Sequence, residues 1–153
     1  MTKSARLRVG IFIDGGFFAA VSNFFRHEHK RAARLDVESV VRRCENLAAR
    51  TWRGSESSAV DAAVKRYYRG RFSAHESAST GHLKTDRLWD DVLLIAGFET
   101  RYYPCGDKGE KAVDVMLAVD AVELDARDAI DVAAFVTGDE DFVPLFRALK
   151  RFG

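Results

Sequence analysis

Two regimes of hydrophobic patterning alternate along the chain: short apolar runs rich in β-branched residues, and longer stretches where apolar residues return every three or four positions. Leu7-Arg8-Val9-Gly10-Ile11-Phe12-Ile13 belongs to the first kind, and Asp14-Gly15-Gly16 ends it, the form of a buried parallel strand running into a tight turn. Residues 17–25 follow as a helix. Val37, Val40, Val41, Cys44, Leu47 and Ala48 mark a second helix, with Asp36 placed to cap it. Residues 59–72 predict a second strand carrying Val64-Lys65-Arg66-Tyr67-Tyr68, and the small polar stretch 73–81 predicts a mobile loop. Residues 83–96 predict a helix lined by Leu88, Val92 and Ile95, with Gly97 at its C-cap. A third strand over 98–103, a loop over 104–109, a helix over 111–124, a fourth strand over 132–137 and a helix over 142–152 complete the reading.

Strands that alternate with helices predict an α/β fold: a mostly parallel central sheet covered on both faces, with ligands beyond the carboxyl ends of the strands. At 153 residues, with no internal repeat, the chain is expected to be one domain, 1–153. A balance of 47% hydrophobic and 31% charged residues excludes a disordered or fibrous chain, and a net charge of +1 leaves charge placement to speak for partners. Cys44 and Cys105 are too few for a disulfide framework or a four-cysteine zinc site, so a reducing, cytoplasmic setting is expected. The first apolar run leads straight into Asp14 and reads as a strand, with no signal peptide or membrane span expected.

Candidate chemistry concentrates where strands and loops give way to helices. Asp14 follows the first strand, Asp114 opens the helix over 111–124, and Thr137-Gly138-Asp139-Glu140-Asp141 follows the fourth strand. Each acid also has a local use: an Asx-turn at Asp14, a dipole-complementing first-turn carboxylate at Asp114, an N-cap at Asp139 or Asp141. Only one cap is needed there, and all four acids share one edge of the predicted sheet. Converging carboxylates repel unless a cation joins them, and an oxygen-only donor set suits Mg²⁺ or Mn²⁺. Asp120 projects away from Asp114 on the helix and is left outside this set, and Glu140 is expected to face solvent. Lys111 is placed either to hold a scissile phosphate or to neutralise the neighbouring acid.

Arg66, Tyr68, Arg69 and Arg71 combine charge with stackable rings near the same edge, as a single-stranded RNA partner would require, or as an ordinary solvated strand end would show. The basic run over 27–34 can track a phosphate backbone or be an insertion. Neither His27-Glu28-His29 nor His75-Glu76 with His82 has the spacing of a zinc motif, and no glycine-rich nucleotide loop follows the first strand.

Taken together, Phe12-Ile13-Asp14-Gly15, the run from Lys111-Ala112-Val113-Asp114 to Asp120-Ala121, and Val136-Thr137-Gly138-Asp139-Glu140-Asp141-Phe142-Val143-Pro144-Leu145 resemble the NYN family, the LabA-like branch of the PIN-like nucleases. The resemblance implies a Rossmann-like, three-layer α/β/α PIN-like fold. It implies a metal held by Asp14, Asp114, Asp139 and Asp141, with Thr137 as the small hydroxyl residue before the paired acids, and hydrolysis of RNA. Lys111, Thr137, Arg66, Arg69 and Arg71 are the expected substrate contacts. The expected activity is that of a metal-dependent endoribonuclease; the alternative is a non-catalytic RNA- or protein-binding module with a degenerate site, and a metal-dependent phosphatase is a third reading. Two features depart from the family pattern. Phe17 stands where many members have asparagine. The chain also stops at Arg151-Phe152-Gly153 where relatives continue into another strand, which predicts an open sheet edge, covered in a homodimer or left by a truncation.

Overall fold

The computed structural model describes residues 6–52, 59–105 and 112–152. Its strands are β1 (Arg6–Asp14), β2 (Ala59–Arg71), β3 (Glu99–Pro104) and β4 (Val132–Val136), all parallel, in the order β3-β2-β1-β4. Parallel neighbours cannot be joined by tight hairpins, so helices fill each connection. α1 (Gly15–His27) and α2 (Val37–Thr51) follow β1; α3 (Ala74–Ser79) and α4 (Leu83–Ile95) follow β2; α5 (Val113–Ala126) follows β3; and α6 (Val143–Phe152) follows β4.

Successive side chains of β1 enter opposite layers, as the pleat requires. Val9, Ile11 and Ile13 pack with Phe18 of α1, Val37, Cys44 and Ala48 of α2, and Leu93 of α4. Phe12 packs on the other side with Tyr68, with Val113, Leu117 and Ala121 of α5, and with Leu145 of α6. The fold is therefore the three-layer α/β/α arrangement expected from the sequence. Arg8 fixes where β4 begins: its backbone N–H donates to Asp131 Oδ2 at 2.8 Å and its Nη2 to Oδ1 at 2.9 Å, and Val9 then pairs with Val132. β4 forms one edge of the sheet, bonded to β1 alone among the described residues.

Three details differ from the sequence reading. Residues 74–79 are helical where a mobile loop was expected, because Ser73 and Glu76 form a reciprocal capping box: Ser73 Oγ accepts the Glu76 N–H at 3.2 Å and Glu76 Oε2 accepts the Ser73 N–H at 3.0 Å. On α4, the Leu88, Val92 and Ile95 stripe faces outward, with Ile95 82% exposed. The buried face is Trp89, Leu93 and Ala96 instead; Trp89 brings the larger surface and packs tilted against Phe18 at 5.8 Å and edge-on to Tyr67 at 5.9 Å between ring centroids. Glu140–Phe142 forms a 3₁₀ turn, and the last helix begins one residue later than expected. Asp36 caps α2 through the Ser39 N–H, and Gly97 ends α4 at φ 75°, both as expected.

The turn out of β1 admits no side chain at Gly15. A Cβ there would lie 2.6 Å from both the Tyr67 ring and the Tyr68 carbonyl oxygen, and the backbone atom cannot yield. Gly15→Ala is expected to cost about 2 kcal/mol or more, the scale of an overpacked core. Urea denaturation of the variant measures this, and an unchanged midpoint would contradict the packing described.

Candidate functional site

The sheet reverses its strand order at β1, with β2 and β3 on one side and β4 on the other, so the crevice expected of an open parallel sheet lies beyond the carboxyl ends of β1 and β4. Asp14 ends β1 there. Its Oδ1 accepts the N–H groups of Gly16 at 3.0 Å and Phe17 at 3.2 Å, capping α1. Its Oδ2 accepts the Thr137 hydroxyl at 3.3 Å, across the junction from the end of β4. Thr137 Oγ1 in turn accepts the Asp139 N–H at 3.2 Å, and Asp139 Oδ1 accepts the Asp141 N–H at 2.9 Å. Four of the expected site residues thus form one hydrogen-bonded chain. The helix cap and the contact to Thr137 do not compete at Asp14, because each uses a different oxygen.

Asp114 stands in the exposed first turn of α5, which starts from the same edge of the sheet. Glu140 is exposed, as expected. Lys111 lies outside the described residues. All the donors presented at the crevice are oxygens, carboxylates beside one hydroxyl, and this chemistry fits a hard divalent cation that keeps much of its own water. Among the described residues, no three acidic, histidine or cysteine side chains are grouped so as to hold an ion.

Phe17, at the position where asparagine was expected, lays its ring against the backbone of Gly138. A Cβ on Gly138 would meet Phe17 Cε2 at 2.5 Å. The ring therefore walls the turn that carries Thr137 and Asp139. On the other side, the Tyr67 hydroxyl donates to the Gly15 carbonyl at 3.3 Å. Burial pushes the Tyr67 pKa up, partly offset by the nearby positive charge of Arg69. Arg69 follows Tyr68, the register partner of Asp14 on β2, and it forms no ion pair among the described residues.

The structure places the other two arginines elsewhere. Arg66 is bound by Glu99 at 2.8 Å and Asp120 at 3.2 Å, and Arg71 by Asp90 at 2.7 Å with its guanidinium 3.8 Å from the Tyr102 ring centroid. Burial opposes the Arg66 charge, yet the hydrogen bond to Glu99 and the charges of Asp120 and Glu99 outweigh it and hold its pKa above the ordinary value. Asp120, which the sequence reading left aside, is the hub of this layer. Its Oδ2 accepts the Tyr68 hydroxyl at 2.9 Å and stands 3.5 Å from Arg101 Nε. Burial, then the Asp120 charge, keeps the Tyr68 hydroxyl protonated far above its ordinary pKa, so it remains a donor. The signal for this role was present: Asp120 falls on the face of α5 that holds Val113, Leu117 and Ala121, which pack on the sheet where β2 offers Arg66 and Tyr68.

The sequence profile of the NYN domain matches residues 8–153. An uncharacterized protein of Methanocaldococcus jannaschii is 32% identical over 126 residues, 82% of this chain and 45% of that protein, so the chain spans less than half of that relative's length. No solved structure matches the chain significantly.

If Asp120 is the hub of an ion network, Asp120→Ala should lower stability by about 3 kcal/mol, because it strands partly buried arginines. Asp139→Asn, at an exposed turn, should cost less than 1 kcal/mol, since asparagine can still accept the Asp141 N–H. Chemical denaturation of the two variants measures the contrast, and equal losses would contradict it.

Proposed function

Since the chain belongs to the NYN domain family, a nuclease-like family within the PIN-like superfamily, we propose that it is a metal-dependent endoribonuclease that hydrolyses RNA phosphodiester bonds. Family members generally depend on a divalent metal, and the oxygen donors here favour Mg²⁺ or Mn²⁺. The observation that carries the reading is the meeting of Asp14 Oδ2 with Thr137 Oγ1 where the strand order reverses, with Asp139 joined to the same hydroxyl.

Asp14, Asp114, Asp139 and Asp141 would hold the cation. When bound, it supplies a water of lowered pKa for attack on phosphorus and offsets charge on the phosphate oxygens. The residues of the chain do the positioning. Asp14 Oδ1 is fixed by two backbone N–H groups, so Oδ2 is presented in one direction. Thr137 holds the turn after β4 against that carboxylate. Arg69, one residue beyond the register partner of Asp14 and outside any ion pair among the described residues, is the arginine we assign to steady a phosphate; Lys111 is a further cation for that role. Arg66 and Arg71 would have to break ion pairs to contribute. Products carry a 5′-phosphate and a 3′-hydroxyl. No helix among the described residues is long and apolar enough to cross a membrane. Two cysteines are too few for a disulfide framework, and we assign the protein to a reducing, cytoplasmic setting, with single-stranded RNA as partner and a homodimer as the means of covering the β4 edge.

One observation favours a second reading, a non-catalytic RNA- or protein-binding module. Phe17 replaces a polar contact with a ring over Gly138, beside the acids. Labelled single-stranded RNA incubated with the protein and Mn²⁺, with EDTA, and with Asp14→Asn or Asp139→Asn separates the two. Asparagine keeps the helix-capping oxygen in both variants, so folding is expected to persist. The nuclease reading expects cleavage with Mn²⁺ alone, and about a 100-fold loss in either variant, the scale of a few kcal/mol of transition-state stabilisation. Equal cleavage in all four reactions would refute it, and binding without cleavage, unchanged by the substitutions, would establish the module.

A further inference from the structure

Beyond the acid chain, the end of β2 opens into a cleft of about 210 Å³ between α3 and α4. That is smaller than the ~300–1,000 Å³ of a drug-sized ligand site and suits a single flat ring system. Leu83 and Ala74 form apolar walls, and the ring of Phe72 stands at the rim, 57% exposed. Arg71 is fixed in the wall: its Nη2 donates to both Asp90 oxygens, at 2.7 and 2.8 Å, while the Tyr102 hydroxyl bonds the same carboxylate. Asp86 is held differently. Ser77, only 3% exposed and the buried polar residue of the described core, donates its hydroxyl to Asp86 Oδ2 at 3.1 Å. Asp86 Oδ1 has no hydrogen-bond partner among the described residues, and Arg87 beside it forms no ion pair there.

The cleft lies on the working edge of the sheet. Tyr68 is paired in register with Asp14, and Arg71 is three residues further along β2, about 10 Å at the rise of a strand. A polynucleotide passing Asp14 would therefore reach it.

We propose that this cleft binds one unpaired base of a bound RNA strand, guanine before the other three, stacked on Phe72 with its Watson–Crick edge on Asp86. The proposal rests on the RNA reading of the acid site and specifies what that site's substrate must present. A carboxylate is acceptor-only, and guanine offers it two adjacent donors, N1–H and N2–H. Adenine and cytosine set an acceptor nitrogen beside their single amino group, and uracil flanks its one imino N–H with two carbonyl oxygens; each repels the second carboxylate oxygen. Stacking of an unpaired base on an exposed aromatic ring is the usual anchor in single-strand recognition.

Fluorescence anisotropy in EDTA, where no cleavage competes, compares the labelled hexamers UUGUUU and UUUUUU on the wild type, Asp86→Asn and Phe72→Ala. The wild type should bind the guanine hexamer about tenfold tighter, the scale of one good paired contact. Asp86→Asn should bring the ratio near one with UUUUUU affinity unchanged; its amide oxygen can still accept from Ser77, and a thermal melt confirms the fold. Phe72→Ala, at an exposed position, should weaken the guanine hexamer about fivefold or more. Equal affinity of the wild type for the two hexamers, a preference that survives Asp86→Asn, or no binding to either overturns the proposal. Hydrolysis in Mn²⁺ without a base preference overturns the base site alone, whereas the expected binding pattern without hydrolysis upholds it and overturns the nuclease reading alone.

Discussion

Everything at the candidate site depends on β1 being paired on both sides. A strand with β2 along one edge and β4 along the other has no free backbone polar groups to offer and no face to show water, which is why Val9, Ile11, Phe12 and Ile13 are all fully buried. Because the strand order reverses there, the helices that follow β1 and β4 leave in opposite directions. The gap between them opens over Asp14, the polar residue at the carboxyl end of β1. The sheet thus delivers a carboxylate to a crevice without the carboxylate having to be stable there by itself.

Division of labour within each side chain resolves the tension between local structure and chemistry. An aspartate at a strand-to-helix junction is spent, in most proteins, on capping. Here one oxygen of Asp14 does that and fixes the rotamer, and the second is left to meet Thr137; Asp139 repeats the device, with Oδ1 on the Asp141 N–H. Capping and preorganisation are then the same interaction. The arginines show the opposite outcome: Arg66 and Arg71 spend their charge on Glu99, Asp120 and Asp90 to hold α4, α5 and β3 on the sheet.

The strands, their order of appearance, the Asp36 cap and the placement of acids at strand ends could all be read from the chain, because each rests on a local pattern: a β-branched run, a residue type at a junction, a spacing of three or four. What escaped depended on the third dimension. α4 carries apolar residues on two faces, and only the neighbouring Phe18 and Tyr67 rings decide that Trp89 and Leu93 go inward rather than Leu88 and Val92. The six residues of α3 lack hydrophobic periodicity and hold their shape through the Ser73–Glu76 box, a pattern easily lost in a polar stretch. Asp120 and its arginines are far apart in sequence, so their pairing follows from strand order alone.

Phe17 and Gly138 carry a different kind of consequence. The ring fills the volume that any side chain at position 138 would need, so neither residue can change freely without the other. Replacing Phe17 by a small polar residue opens a void over the turn, and adding a methyl group at 138 is tolerable only once that void exists. The two positions therefore behave as an epistatic pair. Any attempt to restore a polar contact beside the acids, by engineering or along an evolutionary path, has to treat the wall and the turn as one unit.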